Sequence, residues 1–496
     1  MGWVRAGLRV IHRVMGTGIA LLVILWFWSG MVLLFVPYPS LTEIERFRWF
    51  APLQLERCCV SIESVWSQLG QTQGVERIRL SMAAGRPVYV IQFLDGTLKS
   101  LWADRGEPML GVARADAVRI AQQGAQREGE NIAELLEDDQ WTVQQRFAVH
   151  RPLWKVQWGD GEGHEVYVSS KTGEVVMETT VFERRWNWVG SVIHWLYLPA
   201  LRRHWAVWDQ VVWWLAAGGV ITAVTGLALG IQHLYRWKGQ RKKGPFSGVR
   251  RVHHLVGLAI GTVVFTWLLS GMLSMDHGRW FSRPELTVDE RQRFMGGPFV
   301  SQDVAVSLGD ALRQAQPSDP IKEVLFTKVG GMSYYVFRSD PAHQIVVSAA
   351  NVQAPLQAFS LQVLTQAASA VFPTQNIERS EVIHGDTYYY STSHNPRPLP
   401  GLRVVLDDPA KTWLHIDIKT GQLIERMDRS RRVYRWLFHG LHSWDIPFLL
   451  EHDEQRKILL LTLCVAGMIF SLSGVYLGIM VLIGRSPLKP PPLGDA

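Results

Sequence analysis

Two histidines lie at matching places beside long apolar runs of the chain. His12 lies in "LRVIHRVMGTGIALLVILWFWSGM", and His253 lies in "VRRVHHLVGLAIGTVVFTWLLSGM". A polar ring at the end of a membrane helix costs free energy unless water or a partner satisfies it. The neutral imidazole nitrogen is also the commonest metal ligand among side chains. The pattern indicates either a metal-ligating pair or two interfacial histidines bonded to lipid or a loop, and its repetition favours ligation.

The whole chain is an internal repeat of two halves. A shift of 241 residues aligns the first apolar run with the third, and a shift of 248 residues aligns the second with the fourth. The aligned pairs include His12 and His253, Ser29 and Ser270, His194 and His442, and Gly226 and Gly474. Both halves start on the same side of the membrane, so they are parallel repeats related by an axis along the membrane normal. We expect a four-helix core with pseudo-twofold symmetry.

Four stretches lack charged residues for longer than the ~20 residues that a helix needs to cross a bilayer. They are residues 14–36, 210–235, 252–275 and 458–484. The segment 236–251 carries seven Arg or Lys and no acidic residue. The positive-inside rule then predicts that residues 1–13, 236–251 and 485–496 are cytoplasmic. Residues 37–209 and 276–457 are expected to lie in the periplasm, with the spans in a bacterial inner membrane.

The composition is typical of a membrane protein with large water-exposed parts. The 496 residues include 22 Trp and carry a net charge of +7, and the mean hydropathy is +0.03. The first span is too long for the apolar core of a cleavable signal peptide, so we expect the chain to keep it. The basic segment is usual for membrane topology, so no nucleic-acid partner is expected.

The two water-exposed segments show the alternation of antiparallel strands. "RPVYVIQFLDGTLKSLWAD" alternates apolar and polar residues around Asp95-Gly96, which predicts a hairpin. "KTWLHIDIKTGQLIERM" repeats this form in the second half, and "VARADAVRIAQQGAQ" has the period of an amphipathic helix. We therefore predict two α+β domains, each built from two units of a helix packed on a few antiparallel strands.

The three cysteines give little information. No CxxC motif is present, and Cys464 lies in the fourth span. Cys58 and Cys59 are adjacent, and we expect free thiols there rather than a strained disulfide.

Several motifs together resemble one family of membrane proteins. "IHRVMGTGIALLVILWFWSGM" and "VHHLVGLAIGTVVFTWLLSGM" are similar to the H-R-x-x-G…(T/S)-G signature of PepSY-associated transmembrane proteins. "VIHWLYLP", "LFHGLHSWDIP", "TGLALGI" and "SGVYLGI" resemble other motifs of its spans, and "SKTGEVV" and "IKTGQLI" resemble PepSY strand endings. The resemblance implies an α-helical membrane core of four transmembrane helices in two pseudo-symmetric halves, with two α+β periplasmic PepSY-like domains. It also implies haem b in the membrane.

Under this resemblance the duplicated histidines become axial ligands of two haems. Imidazole is a haem ligand in electron-transfer sites, and two facing imidazoles saturate the iron. His12 and His253 would hold one haem near the cytoplasmic face. His194 and His442 would hold a second haem near the periplasmic face.

Other polar residues are predicted to be alternate ligands or neighbours of these sites. His439 lies one helical turn before His442, and it is an alternate outer ligand or a hydrogen-bond partner. His233 is an alternate inner ligand or a partner of a haem propionate. His254 and Arg13 match each other under the repeat, and each could donate a hydrogen bond to a propionate.

Small and aromatic residues of the spans are also candidates for contact with haem. Gly16 and Gly257 lie one helical turn beyond the inner histidines, where they would leave room for a porphyrin edge. Four aromatic residues either surround the haems or simply pack the core, namely Trp26, Phe27, Trp28 and Trp267.

The resemblance implies an oxidoreductase function, although the sequence identifies no catalytic residue. Electrons would come from a quinol or a cytoplasmic reductase and pass through both haems to a periplasmic acceptor, with a ferric siderophore expected in that role. The alternative is a haem-free PepSY scaffold or sensor that binds a periplasmic partner. A transporter would need charged or polar residues deep in the spans, and the middles of these spans carry none that is charged.

Overall fold

The computed structural model describes residues 2–55, 58–69, 74–125, 131–159, 162–238, 246–392 and 396–484. The predicted tail 485–496, and residues 239–245 of the predicted basic loop, lie outside the described residues. The chain divides into two compact units. The helical unit comprises Met1–Tyr38, Arg185–Phe281 and Val433–Ala496, and the sheet unit comprises Pro39–Arg184 and Ser282–Arg432.

The helices are numbered in chain order. They are α1 Gly2–Leu33, α2 Glu43–Arg48, α3 Ile62–Leu69, α4 Arg114–Ala125, α5 Val181–Asn187, α6 Ile193–Trp195, α7 Pro199–Arg202, α8 Trp205–Lys238, α9 Gly248–Ser274, α10 Val288–Met295, α11 Leu308–Ala315, α12 Leu361–Val371, α13 Arg429–Arg435, α14 Pro447–Glu451 and α15 Asp453–Leu482.

The strands are numbered in the same way. They are β1 Val75–Ala83, β2 Arg86–Phe93, β3 Leu98–Trp102, β4 Asn131–Leu136, β5 Leu153–Trp158, β6 Glu165–Ser169, β7 Val175–Thr179, β8 Glu323–Val329, β9 Met332–Arg338, β10 Gln344–Ser348, β11 Ile377–Ile383, β12 Gly401–Leu406, β13 Trp413–Asp417 and β14 Leu423–Met427.

Four helices are long and apolar enough to cross a membrane, namely α1, α8, α9 and α15. These are the four helices that the hydropathy pattern predicted. Each begins before the uncharged stretch that identified it, so its first turns also include charged residues such as Arg5 and Asp453. Each helix packs against two others, in the order α1, α8, α9, α15 around a ring. Arg5 Nε donates to Gln232 Oε1 at 3.1 Å, so α1 begins where α8 ends. We call this end of the bundle the inner end and the opposite end the outer end.

Repeated glycines bring the spanning helices close together. The missing side chain of Gly219 leaves room for Leu268, and that of Gly467 leaves room for the ring of Phe27. Phe27 in turn packs edge-on against Trp267, with 5.7 Å between the ring centres. Small residues at helix contacts are usual in membrane bundles because they let backbones approach.

Gly16 and Gly257 have the same packing role, which differs from the predicted one. A Cβ at Gly16 would meet Thr222 Cγ2 at 3.5 Å, and a Cβ at Gly257 would meet the ring of Phe470 at 2.8 Å. Neighbouring helices therefore fill the space that we expected to accommodate a porphyrin edge.

The short helices before α8 and α15 belong to the helical unit, although the sequence placed them in the water-exposed domains. A π-helical turn follows α5 at Trp188–Val192, and another follows α13 at Trp436–Gly440. The two turns lie at matching positions of the repeat. Wide turns of this type are rare, and they often mark functional sites.

The sheet unit joins the two water-exposed segments instead of separating them. Its largest sheet has the order β10-β9-β8-β1-β2-β3, so it combines strands of both halves. β1 and β8 pair antiparallel at its centre, where Ile78 lies opposite Phe326 and Leu80 lies opposite Val324. Every residue of β8 is buried, so pairing removes an apolar edge that a lone domain would expose. This differs from the two separate domains, 37–209 and 276–457, that we predicted.

Each half also has the predicted unit of a helix on antiparallel strands. The sheets β4-β5-β6-β7 and β11-β12-β13-β14 belong to the first and second halves, respectively. Ile120 of α4 packs in one core with Val156, and Leu364 of α12 packs in another with Leu414. The predicted hairpin joins β2 to β3, with Gly96 in the left-handed region at φ 86°.

Cys58 and Cys59 form a disulfide between neighbouring residues, so the prediction of free thiols was wrong. Both residues are partly buried against an apolar cluster that includes Ile62 and Val65. This cluster also contains residues that are distant in the sequence. The adjacency of the two cysteines along the chain therefore does not reveal their packing.

A buried carboxylate lies between two arginines in the sheet unit. Glu323 on β8 accepts from Arg46 at 2.9 and 3.2 Å, and from Arg338 at 2.9 Å. The Glu323 side chain is only 1% exposed. Burial alone would raise the pKa of this carboxyl, but the charge and hydrogen bonds of Arg46, together with the charge of Arg338, hold the pKa at about 2.

We expect Glu323→Ala to destabilise the sheet unit by about 3–5 kcal/mol, because Arg46 and Arg338 lose their buried counter-ion and keep only Glu43, whose side chain is half exposed. Urea unfolding of the full chain, followed by circular dichroism, measures this loss. The exposed pair of Glu178 with Arg48, 2.8 Å apart, is the control, and Glu178→Ala should cost about 0–1 kcal/mol. The Glu323 contribution should persist above the ordinary carboxylate pKa and be lost as the pH falls towards 2. Equal losses in the two variants would contradict this account.

Candidate functional site

The inner pair of repeated histidines meets across the bundle. His12 lies on α1 and His253 lies on α9, and their ring centres are 6.4 Å apart with an interplanar angle of 48°. Both side chains are half-buried. The ring of Phe470 stacks on His253, with 4.7 Å between the centres. Two helices that are not adjacent in the sequence thus bring one pair of imidazoles together.

The outer pair meets in the same way. His194 lies on α6 and His442 follows the second π-helical turn, and their ring centres are 6.0 Å apart at 71°. Two residues beyond each histidine, Leu196 and Trp444 adopt left-handed backbone conformations, with φ of 52° and 53°. Such conformations are strained for side chains of this kind. Both halves therefore use the same unusual backbone to present the outer imidazoles.

Each imidazole is held through Nδ1 by a neighbouring helix. His194 Nδ1 lies 3.0 Å from Ser29 Oγ, and His442 Nδ1 lies 3.0 Å from Ser270 Oγ. At the inner end, His253 Nδ1 lies 2.9 Å from Ser473 Oγ.

The fourth histidine bonds a carbonyl instead of a hydroxyl. His12 Nδ1 lies 3.0 Å from the backbone oxygen of Thr222, with the Thr225 hydroxyl more distant at 3.4 Å. Thr225 matches Ser473 under the repeat.

These contacts determine which ring nitrogen carries the proton. The Thr222 carbonyl can only accept, so Nδ1 of His12 must be the donor. The hydroxyls of Ser29, Ser270 and Ser473 already donate to backbone carbonyls of their own helices, at 2.5–3.1 Å, so they too accept from Nδ1.

The opposite ring nitrogen is consequently available. A charged imidazolium is disfavoured in apolar surroundings, so each ring is neutral and Nε2 keeps its lone pair. No residue in the described part of the chain hydrogen-bonds any of these four Nε2 atoms. The bundle therefore contains two pairs of imidazole rings, and the Nε2 atom of each ring has a lone pair that is not used in a hydrogen bond.

A glycine follows each of the four hydroxyl-bearing residues. A Cβ at Gly30, Gly271 or Gly474 would lie 3.5–3.6 Å from the Cε1 atom of its histidine, which is ordinary contact. At Gly226 it would lie only 2.7 Å from His12 Cε1. We call each Ser/Thr–Gly pair a seat. The glycine lies against the ring at all four seats, and the hydroxyl bonds the imidazole closely at three of them, whereas the Thr225 hydroxyl is 3.4 Å from His12 Nδ1.

The alternate residues predicted near the sites make other contacts. The rings of His233 and His254 meet at 5.9 Å between their centres. Arg13 has an exposed side chain. His439 contacts the rings of Phe438 and Tyr434 at 4.9 and 6.2 Å. His204 and His452, which match each other under the repeat, have exposed side chains.

The aromatic residues of the spans divide into three groups. Trp26 Nε1 donates to the backbone oxygen of His194 at 3.1 Å, so it supports the outer pair directly. Phe27 and Trp267 pack in the core of the bundle. Trp28 is exposed along α1, where a surrounding lipid would contact it.

No protein-family model matches the chain, and its comparison with curated proteins gives no significant match.

The seats are functional residues that the sequence reasoning missed. Ser29 and Ser270 belong to the repeated "SGM", and Thr225 and Ser473 begin "TGLALGI" and "SGVYLGI". The signal was therefore present as one repeated hydroxyl–glycine pair in each span. The sequence alone does not show which of these residues would lie against a histidine.

We expect Gly226→Ala to displace His12 from Thr222, and Gly474→Ala at the matching position to leave His253 in place. Overpacking should destabilise the first variant by about 1–3 kcal/mol, whereas helix propensity should stabilise the second by up to ~1 kcal/mol. Thermal unfolding of both variants in detergent measures the difference. A similar shift in both would mean that the 2.7 Å approach has no importance.

Proposed function

We propose that the chain is a di-haem b-type electron-transfer protein of the bacterial inner membrane, with the four seated histidines as axial ligands. The observation that carries the proposal is the pairing of His12 with His253 and of His194 with His442, each with Nε2 free. The sequence resemblance to PepSY-associated transmembrane proteins supports the same function.

The donor set fits an iron atom between each pair of rings. Metal–imidazole bonds are about 2 Å long, so two imidazoles on opposite sides of one iron have ring centres roughly 6 Å apart. The two separations, 6.4 and 6.0 Å, match this value. Hydrogen-bonded Nδ1 atoms are the usual support of ligating histidines, because they determine the tautomer and the ring orientation.

The residues of the chain would orient the cofactors and would keep dioxygen from binding to the iron. A bound haem b supplies one-electron transfer between ferric and ferrous iron. His12 with His253, and His194 with His442, would each hold one such group from both sides, which would leave no open position for dioxygen and would favour electron transfer. Phe27 and Trp267 lie in the bundle core that also includes Ile19 and Cys464, and they keep the intervening space apolar.

The direction of transfer and the acceptor follow from the charge pattern and the resemblance. The basic segment 236–251 favours a cytoplasmic inner end. For the sheet unit we propose a periplasmic location and two PepSY-like parts, which the sequence resemblance supports. The acceptor we propose is a ferric siderophore, since hard oxygen ligands hold ferric iron more tightly than ferrous iron. One-electron reduction would then release the metal.

The visible spectrum and haem content of the purified chain test this function. We expect about two haems per chain, and a loss of one in His12→Ala and of the other in His442→Ala. The exposed His452→Ala is the control and should retain both. Absence of haem after expression in haem-replete cells would reject the function and favour a haem-free scaffold. Unchanged content in both histidine variants would reject the ligands.

Ser270 should tune the outer haem through the hydrogen bond from His442. An acceptor at Nδ1 raises ligand basicity, which stabilises ferric iron. Ser270→Ala should therefore raise the midpoint potential of the outer haem by a few tens of millivolts, as expected for a hydrogen bond of about 1 kcal/mol. Ser270→Thr should restore the wild-type value. A redox titration measures both, and an unchanged potential in Ser270→Ala would contradict the assigned role.

A further inference from the structure

A third pair of histidines lies at the inner end of the bundle. His233 near the end of α8 and His254 near the start of α9 have ring centres 5.9 Å apart. Phe246, just before α9, packs against both rings at 5.2 Å. All three side chains are half-buried. We call these residues the inner cluster.

The inner cluster breaks the repeat. The residue that matches His254 in the first half is Arg13, and the residue that matches His233 in the second half is Val481. The four seated histidines, in contrast, all have partners under the repeat. The inner cluster therefore has no counterpart under the repeat, and the two symmetric histidine pairs do not require it. It fits a step that takes place at the inner end only.

The chemistry of the inner cluster is that of a hydrogen-bond acceptor. His233 Nδ1 lies 2.7 Å from the backbone oxygen of Leu229, so this nitrogen must donate. The Nε2 atom of the neutral ring keeps its lone pair, and no residue in the described ranges hydrogen-bonds it. An incoming hydroxyl group is the complementary donor.

A metal ion or a third haem fits the inner cluster less well. Protein metal sites commonly use three or more ligating side chains, and the described residues contain no group of three such side chains. A third haem would need the space between the two imidazoles free, but Phe246 is in contact with both. The occupant must instead be flat, apolar enough to reach the site through the bilayer, and able to donate hydrogen bonds.

We propose that the inner cluster binds the headgroup of a membrane hydroquinone, which is the electron donor of the protein. His233 Nε2 accepts a hydrogen bond from one hydroxyl group, and Phe246 provides an aromatic surface for the ring. His254 is next to the proposed ligand His253 in the chain, so the headgroup lies beside the inner haem site. This inference rests on the proposed function.

The electron balance is that of hydroquinone oxidation. Breaking two O–H bonds converts the hydroquinone to a quinone and releases two electrons and two protons. With one haem held by His12 and His253 and another by His194 and His442, the two electrons would reduce the two ferric irons to ferrous irons. One proton leaves by way of His233 Nε2, and both reach water at the inner end.

Two measurements on the full chain in lipid nanodiscs test the inference. Calorimetric titration of the dithionite-reduced chain with duroquinol measures binding without electron transfer, and stopped-flow spectroscopy measures haem reduction of the oxidised chain by duroquinol. We expect His233→Leu to bind duroquinol about tenfold more weakly, as the loss of one good hydrogen bond implies, and to be reduced at least tenfold more slowly. Reduction by dithionite and haem content should remain as in the wild type.

Matched variants distinguish a hydroquinone site from a metal site at the inner cluster. His233→Gln keeps an acceptor oxygen and should recover part of the binding, while the exposed His452→Leu should behave as wild type. Equal duroquinol affinity in His233→Leu and the wild type would overturn the inference. So would loss of Zn²⁺ binding in His233→Leu with duroquinol binding unchanged. Lack of haem in the wild type would reject the proposed function, and the calorimetric result would still report on the inner cluster.

Discussion

The helical unit depends on one constraint, which is that a neutral imidazole in apolar surroundings must satisfy its N–H group. An unpaired donor in the bundle would cost several kcal/mol. Ser29, Ser270 and Ser473 meet this requirement with a hydroxyl, and Thr222 meets it with a carbonyl. The same contacts leave each Nε2 atom with its lone pair, so the hydrogen bond that permits burial also leaves a nitrogen able to bind a metal.

This constraint explains why the spans contain hydroxyl–glycine pairs and not simply small residues. A hydroxyl that already donates to its own helix can only accept from a neighbour, so its orientation is determined before the histidine arrives. The following glycine lies on an adjoining part of the helix surface and leaves the ring room to approach. Close packing of helices would need the glycine alone, whereas a seated imidazole needs both residues.

The sequence allowed us to predict what repeats along the chain, but not which distant residues would meet. The four spans, the shared register of His12 with His253, and the hairpin at Asp95-Gly96 follow from hydropathy, spacing and turn chemistry. Pairing of β1 with β8 joins segments about half the chain apart, and no local pattern specifies it. The disulfide of Cys58 with Cys59 and the π-helical turns likewise depend on their surroundings in the fold.

The two halves have diverged where the histidine pairs impose no symmetry. His415 on β13 occupies the position of Tyr167 on β6, and Arg403 occupies that of Lys155. Arg403 Nε donates to His415 Nε2 at 2.9 Å, and burial lowers the pKa of this imidazole. In the first half, Tyr167 instead donates to Asp139 and Glu165, at 2.6 and 3.0 Å.

One buried polar cluster has thus been rebuilt with different chemistry, because any set of satisfied hydrogen bonds can stabilise a sheet. The bundle has changed less at its seats. A hydroxyl and a glycine remain beside every paired imidazole, and at three of the four the hydroxyl accepts from Nδ1, while His12 donates to the Thr222 carbonyl. The contrast between the two units indicates that geometry at the histidine pairs, more than stability of the fold, has kept the halves of the bundle alike.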